Sequence, residues 1–383
     1  MRLLLLKKIG CLLTIAFFAS GCKNRIPDEM VQEISKLPDK IDYNYHVKPI
    51  LSDKCFSCHG PDADKRKANL RLDFDKKQLP RNDAEVLTID DVKSEIPNRL
   101  FSQDPEIQMP PPESHLSLSD TEKAKILRWI DQGAQYKPHW SFIPIEKNNA
   151  PIPPEDTWGE NEIDYFVKQK LDELQLTPSD KANKETLIRR LSFTLTGLPP
   201  SLEEIDSFLA DESPLAYEKL IDRLLQLPHY GERMAAEWMD VARYADSDGY
   251  LDDKHRDFSP WRDWVINAFN SNMSYENFVT HQLAGDLIPN ADQSSKIATA
   301  FNRLHKKNSE AGIIFEEYRT EYVADRTVTF GKAFLGMTME CARCHDHKYD
   351  PISQKNFYEI SSFFNSTNEI GHAGYGPGQV AGP

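Results

Sequence analysis

Cys55, Cys58 and His59 stand in the run Cys55-Phe56-Ser57-Cys58-His59, two thiols three positions apart with an imidazole directly behind the second. Each thiol can add across one vinyl group of a porphyrin, and the histidine that follows can then bind the iron as proximal ligand. The run is the attachment signature of haem c. A redox dithiol does not need the adjacent histidine, a zinc half-site needs a second ligand pair nearby, and a structural disulfide needs neither. The pattern therefore favours covalent haem.

Two further groups extend this chemistry. Met109 opens the run Met109-Pro110-Pro111-Pro112, in which the prolines fix the backbone of a polar loop and stiffen the presentation of one thioether. A methionine there has no helical face to fill and suits a sixth iron ligand. The second group is Cys341-Ala342-Arg343-Cys344-His345, which repeats the first pattern and reads as a second haem c site with His345 proximal. Zinc held by Cys341, Cys344, His345 and His347 is the rival, but adjacent residues Cys344 and His345 would both have to turn toward one tetrahedral ion. His347 is a poor sixth ligand for that iron, because two residues span at most about 7 Å and the macrocycle would lie between. His229, His255, His281 and His305 are the remaining candidates; without one, the iron keeps an open position.

The elements that position these groups read as helices. Val47, Ile50 and Leu51 fall at helical spacing just before Cys55, with Pro49 near the first turn. Leu70, Leu72 and Phe74 alternate as a brief extended segment. Residues 119–133 form a helix with a Ser119/Glu122 capping box, an apolar face of Ile126, Leu127 and Ile130, and Gly133 as its stop, which is expected to pack over the haem crevice. Four prolines between 144 and 154 mark a linker. Beyond it, Ile163, Phe166, Val167 and Leu174, then Leu187, Ile188 and Leu191, then Ile205, Phe208 and Leu209 behind a Ser201/Glu204 box, then Leu220, Ile221, Leu224 and Leu225 each keep helical spacing. Further helices are expected near 261–270, 275–284, 316–334 and 354–364. The fold class is all-α: a small monohaem cytochrome c domain followed by a larger helical domain.

Two stretches carry a family resemblance. Cys55 to Asp62, Arg66-Lys67-Ala68, Leu70-Arg71-Leu72-Asp73, Met109-Pro110-Pro111, Trp129-Ile130, Gly133-Ala134 and His139-Trp140-Ser141-Phe142 resemble the planctomycete-type cytochrome c domain over residues 42–142. The resemblance implies a helical monohaem fold with His59 and Met109 as axial ligands, and Arg66, Lys67 and Arg71 near the propionates. The second stretch, 160–365, resembles the domain of unknown function that follows this cytochrome in large planctomycete-type surface proteins. It does so through Thr196-Gly197-Leu198-Pro199-Pro200, His229-Tyr230-Gly231-Glu232-Arg233, Ala242-Arg243-Tyr244-Ala245-Asp246, Arg262-Asp263-Trp264, Gln282 to Leu287, Glu316 to Arg319, Asp325-Arg326 and Cys341 to Lys348. Its clustered charges suggest a site, yet no residue stands out as catalytic, because charged residues on helices usually form a solvated face.

The chain opens with basic residues, a short apolar run at 9–18 and Ala19-Ser20-Gly21-Cys22, which resembles a bacterial lipoprotein cleavage box. The run is too short to span a bilayer, for which about 20 residues are needed. Residues 1–21 thus read as an export signal, Cys22 as the lipidated residue, 22–41 as a tether, 143–159 as the linker and 366–383 as a Gly-rich tail that looks cut. Of six cysteines, Cys11 leaves with the signal and Cys22 carries lipid, so the other four all belong to the two haem motifs. The net charge of −14 and the absence of a basic stripe argue against nucleic acid as partner.

The function expected is that of an exported, lipid-anchored c-type cytochrome in the periplasm or at the cell surface, passing electrons to a redox partner that the sequence does not identify. The alternative is a haem-dependent oxidoreductase whose helical domain acts on a carbohydrate or other small molecule. A zinc-binding interaction module ranks last.

Overall fold

The computed structural model describes residues 27–76, 86–147, 149–151 and 158–372. The expected export signal, Cys11, Cys22 and the stretch 373–383 lie outside the described residues. Among the described residues the chain is helical, with two isolated bridges, Leu70 to Leu87 and Ser247 to His255, and no sheet. Its contacts divide it into two units: Met1–Pro144 with Cys344–Gln354, and Ile145–Arg343 with Lys355–Pro383.

In the first unit, α1 (Asp28–Ser35) packs on α6 (Asp120–Asp131). This stretch was expected to be part of a tether. Its composition is polar, but Met30, Ile34 and Leu37 recur along one face, and Met30 is buried in the core with the other two packed against it. The α6 guanidinium of Arg128 closes the contact by donating to the Ile34 carbonyl at 2.9 Å. A wide turn at Tyr43–Val47 leads into α2 (Lys48–Lys54), where Pro49 sits in the first turn, lacking only an N–H that no helix would use. The very short α3 (Phe56–His59), α4 (Ile89–Val92) and α5 (Ile96–Phe101) follow.

Helix α6 forms as its sequence requires. Ser119 and Glu122 exchange reciprocal capping bonds, and Gly133 takes φ +93° just beyond the C-terminus. Its buried face of Ala124, Ile126, Leu127 and Trp129 meets Tyr43, Ile50, Leu51 and Phe56 in one core. Removing side chains of the size of Ile126 and Leu127 from water stabilises each by roughly 1.5–3 kcal/mol. Trp129 also satisfies its ring N–H on the Gln135 carbonyl at 3.0 Å.

The second unit contains α7 (Glu162–Glu173), α8 (Lys184–Thr196), α9 (Leu202–Ala210), α10 (Ala216–Leu225), α11 (Pro228–Ala242), α12 (Ser259–Asn270), α13 (Tyr275–Ala284), α14 (Gln293–Ala298), α15 (Phe315–Phe330) and α16 (Gln354–Asn365). Ile188, Phe208, Ala216, Leu220 and Leu224 make one core from α8, α9 and α10. A larger core gathers Ala235, Trp261, Trp264, Val265, Phe278 and Phe301. Helices α11 and α12 come close at Gly231, where a Cβ would lie 2.5 Å from the Ile266 carbonyl oxygen, and the Gly231 N–H donates to Asn270 at 2.8 Å. Of the stretch 366–383 assigned to the tail, 366–372 are described, and Tyr322 donates its hydroxyl to the Gly371 carbonyl there at 2.9 Å.

Candidate haem site

Helix α2 delivers the first motif. The Cys55 N–H donates to the Leu51 carbonyl at 2.8 Å, and the N–H groups of Cys58 and His59 both return to the Cys55 carbonyl at 3.1 and 2.8 Å. Cys55 to His59 is therefore one tight helical turn. The turn ends at Gly60, where only glycine fits, because a Cβ there would sit 2.3 Å from the Phe56 carbonyl oxygen. The chain then folds back, with Lys67 N–H donating to Cys58 O and Leu72 N–H to His59 O, each at 2.8 Å.

This reversal builds a cavity of about 250 Å³ lined by Cys55, His59, Leu70, Leu72, Arg99, Met109, Ile126 and Trp129, among others. The imidazole, the thioether and one motif thiol, drawn from positions as far apart as 55 and 109, thus line one space. Met109 is held there by its own N–H, which donates to the Arg99 carbonyl at 2.9 Å. Leu70 and Leu72 both line the space and Phe74 does not.

The electrostatics suit an uncharged ligand set. Burial is the largest influence on His59 and lowers its pKa, against a smaller opposing pull from the backbone at Lys67 and Leu70. The imidazole is therefore neutral at pH 7, with a lone pair to give, and its buried Nδ1 has no hydrogen-bond partner. Burial, then the neighbouring Cys58, pushes the Cys55 thiol up to about 12, so it remains a thiol. Both cysteines are free. A neutral imidazole, a thioether and the Cys55 thiol lining one cavity, with the Cys58 thiol in the same helical turn, are a donor set that fits haem c.

The cation that lines the cavity is Arg99, accompanied by Glu95 at 3.2 Å, and neither stood out in the sequence. Arg71 is instead gripped by Asp73 through two hydrogen bonds and lies 4.1 Å over the Phe74 ring, while Arg66 donates to the Pro61 carbonyl. An i, i+4 Glu95/Arg99 pair looks like ordinary helix-surface charge until the cavity is seen.

The second motif lies where the chain passes from one unit to the other: Cys341 belongs to the second unit, Cys344 and His345 to the first. Both cysteines and His345 are exposed, and neither cavity described here is lined by them. His345 hydrogen-bonds the Asp346 carbonyl through Nδ1 at 2.8 Å. A carbonyl only accepts, so Nδ1 carries the proton and Nε2 keeps its lone pair, the tautomer an iron ligand needs. His347 is the opposite case. Its Nδ1 accepts the N–H groups of Tyr349 and Asp350 at 3.1 and 2.8 Å, which leaves the proton on Nε2. In this arrangement His347 presents a protonated Nε2 rather than a lone pair, and among the described residues no three His, Cys, Asp or Glu side chains group to hold a metal.

The helical unit holds a buried polar cluster. Arg326 donates through Nη2 to Glu369 at 2.5 Å and contacts His305 Nε2 at 2.7 Å, while its Nε donates to the Asn302 carbonyl at 2.6 Å. His305 stacks on Tyr322, and its Nδ1 donates to the Lys306 carbonyl. With both nitrogens engaged, His305 is not free to bind iron. Burial lowers its pKa to about 4, and Lys307 beside it falls to about 8 for the same reason. Glu369 is held at about 2: burial opposes this, but His305 and Arg326 outweigh it. Arg326 lay within the polar runs noted in the sequence; Glu369 fell in the presumed tail.

Two family models match this chain. Residues 55–113 match the one described as planctomycete cytochrome C, and 162–369 match the one described as protein of unknown function (DUF1549). No curated protein and no solved structure matches.

Proposed function

Since this chain belongs to the DUF1549 family and carries a planctomycete cytochrome C domain ahead of that region, we propose that it is an exported electron carrier. Its c-type cytochrome domain implies haem c. When bound, haem c supplies a one-electron iron couple. Cys55 and Cys58 would hold the group covalently, and His59, through its neutral imidazole nitrogen, and Met109, through its thioether, would be the residues that bind its iron. Leu70, Leu72, Ile126 and Trp129 keep water from that surface. The observation that carries this reading is the single apolar cavity shared by Cys55, His59 and Met109. Its volume of about 250 Å³ falls just below the ~300–1,000 Å³ usual for small-molecule sites.

We extend the proposal to a second haem on Cys341 and Cys344 with His345 proximal, and to a lipid anchor at Cys22 that keeps the protein on the outer side of a bacterial membrane. Among the described residues no helix is long and apolar enough to cross a membrane. If Cys22 is the anchor, Cys22→Ser releases the protein from membranes, and retention after a salt wash would place the anchor elsewhere.

The second reading, an oxidoreductase acting through the helical unit, is favoured by the buried cluster of His305, Arg326, Lys307 and Glu369. An optical redox titration with and without candidate sugars separates the two. A carrier titrates reversibly with chemical mediators and ignores the sugars; reduction of the haem by a sugar alone would make it an enzyme.

A further inference from the structure

The helical unit contains a second, larger cavity, of about 640 Å³, well within the range of small-molecule sites. Its lining combines an aromatic wall of Phe330, Phe363 and Phe364 with two guanidinium groups, Arg303 and Arg326. Phe363 is 80% exposed, so part of this aromatic wall faces solvent.

The guanidinium groups are the informative part. Arg326 is only 4% exposed, and Glu369, His305 and the Asn302 carbonyl occupy its Nη2 and Nε. Its Nη1 is buried without any hydrogen-bond partner. Buried N–H donors are nearly always paired, so Arg326, fixed through Nη2 and Nε, keeps one donor for a further acceptor. Arg303 lies on the same lining; it is in no ion pair among the described residues, and Glu369 is the carboxylate whose charge acts on it. Asp286, the acidic residue of the lining, is exposed, where solvent screens it.

We propose that this cavity binds a small organic carboxylate, with its anionic head on Arg303 and Arg326 and its apolar body against Phe330, Phe363 and Phe364. Guanidinium groups offer paired N–H donors that match a carboxylate's two oxygens, and the cavity has room for a body of several carbons beyond that head. Nothing in this assignment depends on the haem reading.

The test is calorimetric titration of the full haem-bearing chain with 3-phenylpropionate, using 3-phenylpropanol as its neutral analogue and inorganic phosphate as an anion without an apolar body. The propionate should bind at least tenfold more tightly than either comparator, with no change in the haem spectrum. Arg303→Gln should weaken it tenfold or more, and Phe363→Ala severalfold. Both substitutions leave the Arg326 to Glu369 pair in place, so the fold is retained. Equal binding of the alcohol would make the cavity merely apolar. Equal or tighter binding of phosphate would give the wrong anion class. Unchanged affinity in Arg303→Gln, binding that perturbs the haem spectrum, or no binding by the folded protein would each overturn the assignment.

Discussion

The backbone N–H of Met109 donates to the carbonyl of Arg99 at 2.9 Å, tying the methionine loop to the last turn of α5. Both residues line the cavity that also holds His59. The thioether is thus anchored through its own main chain, and the helix that anchors it brings the one guanidinium of the lining.

The turn at Gly60 gives a direct stability prediction. A methyl group there meets the Phe56 carbonyl oxygen at 2.3 Å and the Phe56 Cβ at 2.8 Å, backbone that cannot yield without opening the haem-binding turn. Gly60→Ala should cost ~1–3 kcal/mol, as overpacking of a tight site does. Urea denaturation followed by haem absorbance measures it, and an unchanged midpoint would show that the turn is looser than described.

Acid should weaken the helical unit in two overlapping steps. His305 binds a proton at about 4 when folded but near 6.5 when unfolded, and Glu369 at about 2 rather than 4.5. For both groups the unfolded chain binds the proton first, so stability is complete above pH 6.5. It falls between 6.5 and 4 through His305, and between 4.5 and 2 through Glu369. His305→Gln keeps an acceptor for Arg326 but does not titrate. The difference in Tm between wild type and variant should therefore change across pH 6.5 to 4; parallel curves through that window would remove His305 from the account.

Much of this was legible in the sequence, for reasons that can be named. The capping boxes at Ser119/Glu122 and Ser201/Glu204 formed because their partners are three residues apart, and the haem turn because all its residues are consecutive. Helical spacing located α7, but it did not say what covers the helix: Ile163 and Phe166 on its apolar stripe are exposed. Periodicity encodes a face, and packing depends on what the rest of the chain brings to it. The two shortfalls near the N-terminus and at Glu369 share a cause. In the first, α1 looked polar by composition while three apolar residues sufficed to dock it. In the second, Glu369 gains its meaning from His305 and Arg326, which lie far from it in sequence.

The second motif should carry haem. His345 already holds the tautomer with a free Nε2, and His347 does not. Peptide mass mapping is expected to find a haem adduct on residues 341–345, and carbon monoxide should bind the ferrous protein if that iron is five-coordinate. One haem per chain with stoichiometric zinc would reverse this assignment.

The near-infrared spectrum of the oxidised protein, compared between wild type and Met109→Ala, tests the His59/Met109 centre most directly. Thioether ligation to ferric haem gives a sulfur-to-iron charge-transfer band, and it raises the potential by favouring the ferrous state. The band should be present in the wild type and absent in Met109→Ala, with a lower midpoint potential in the variant. The same band at undiminished intensity in Met109→Ala would contradict the assignment of Met109 to the iron.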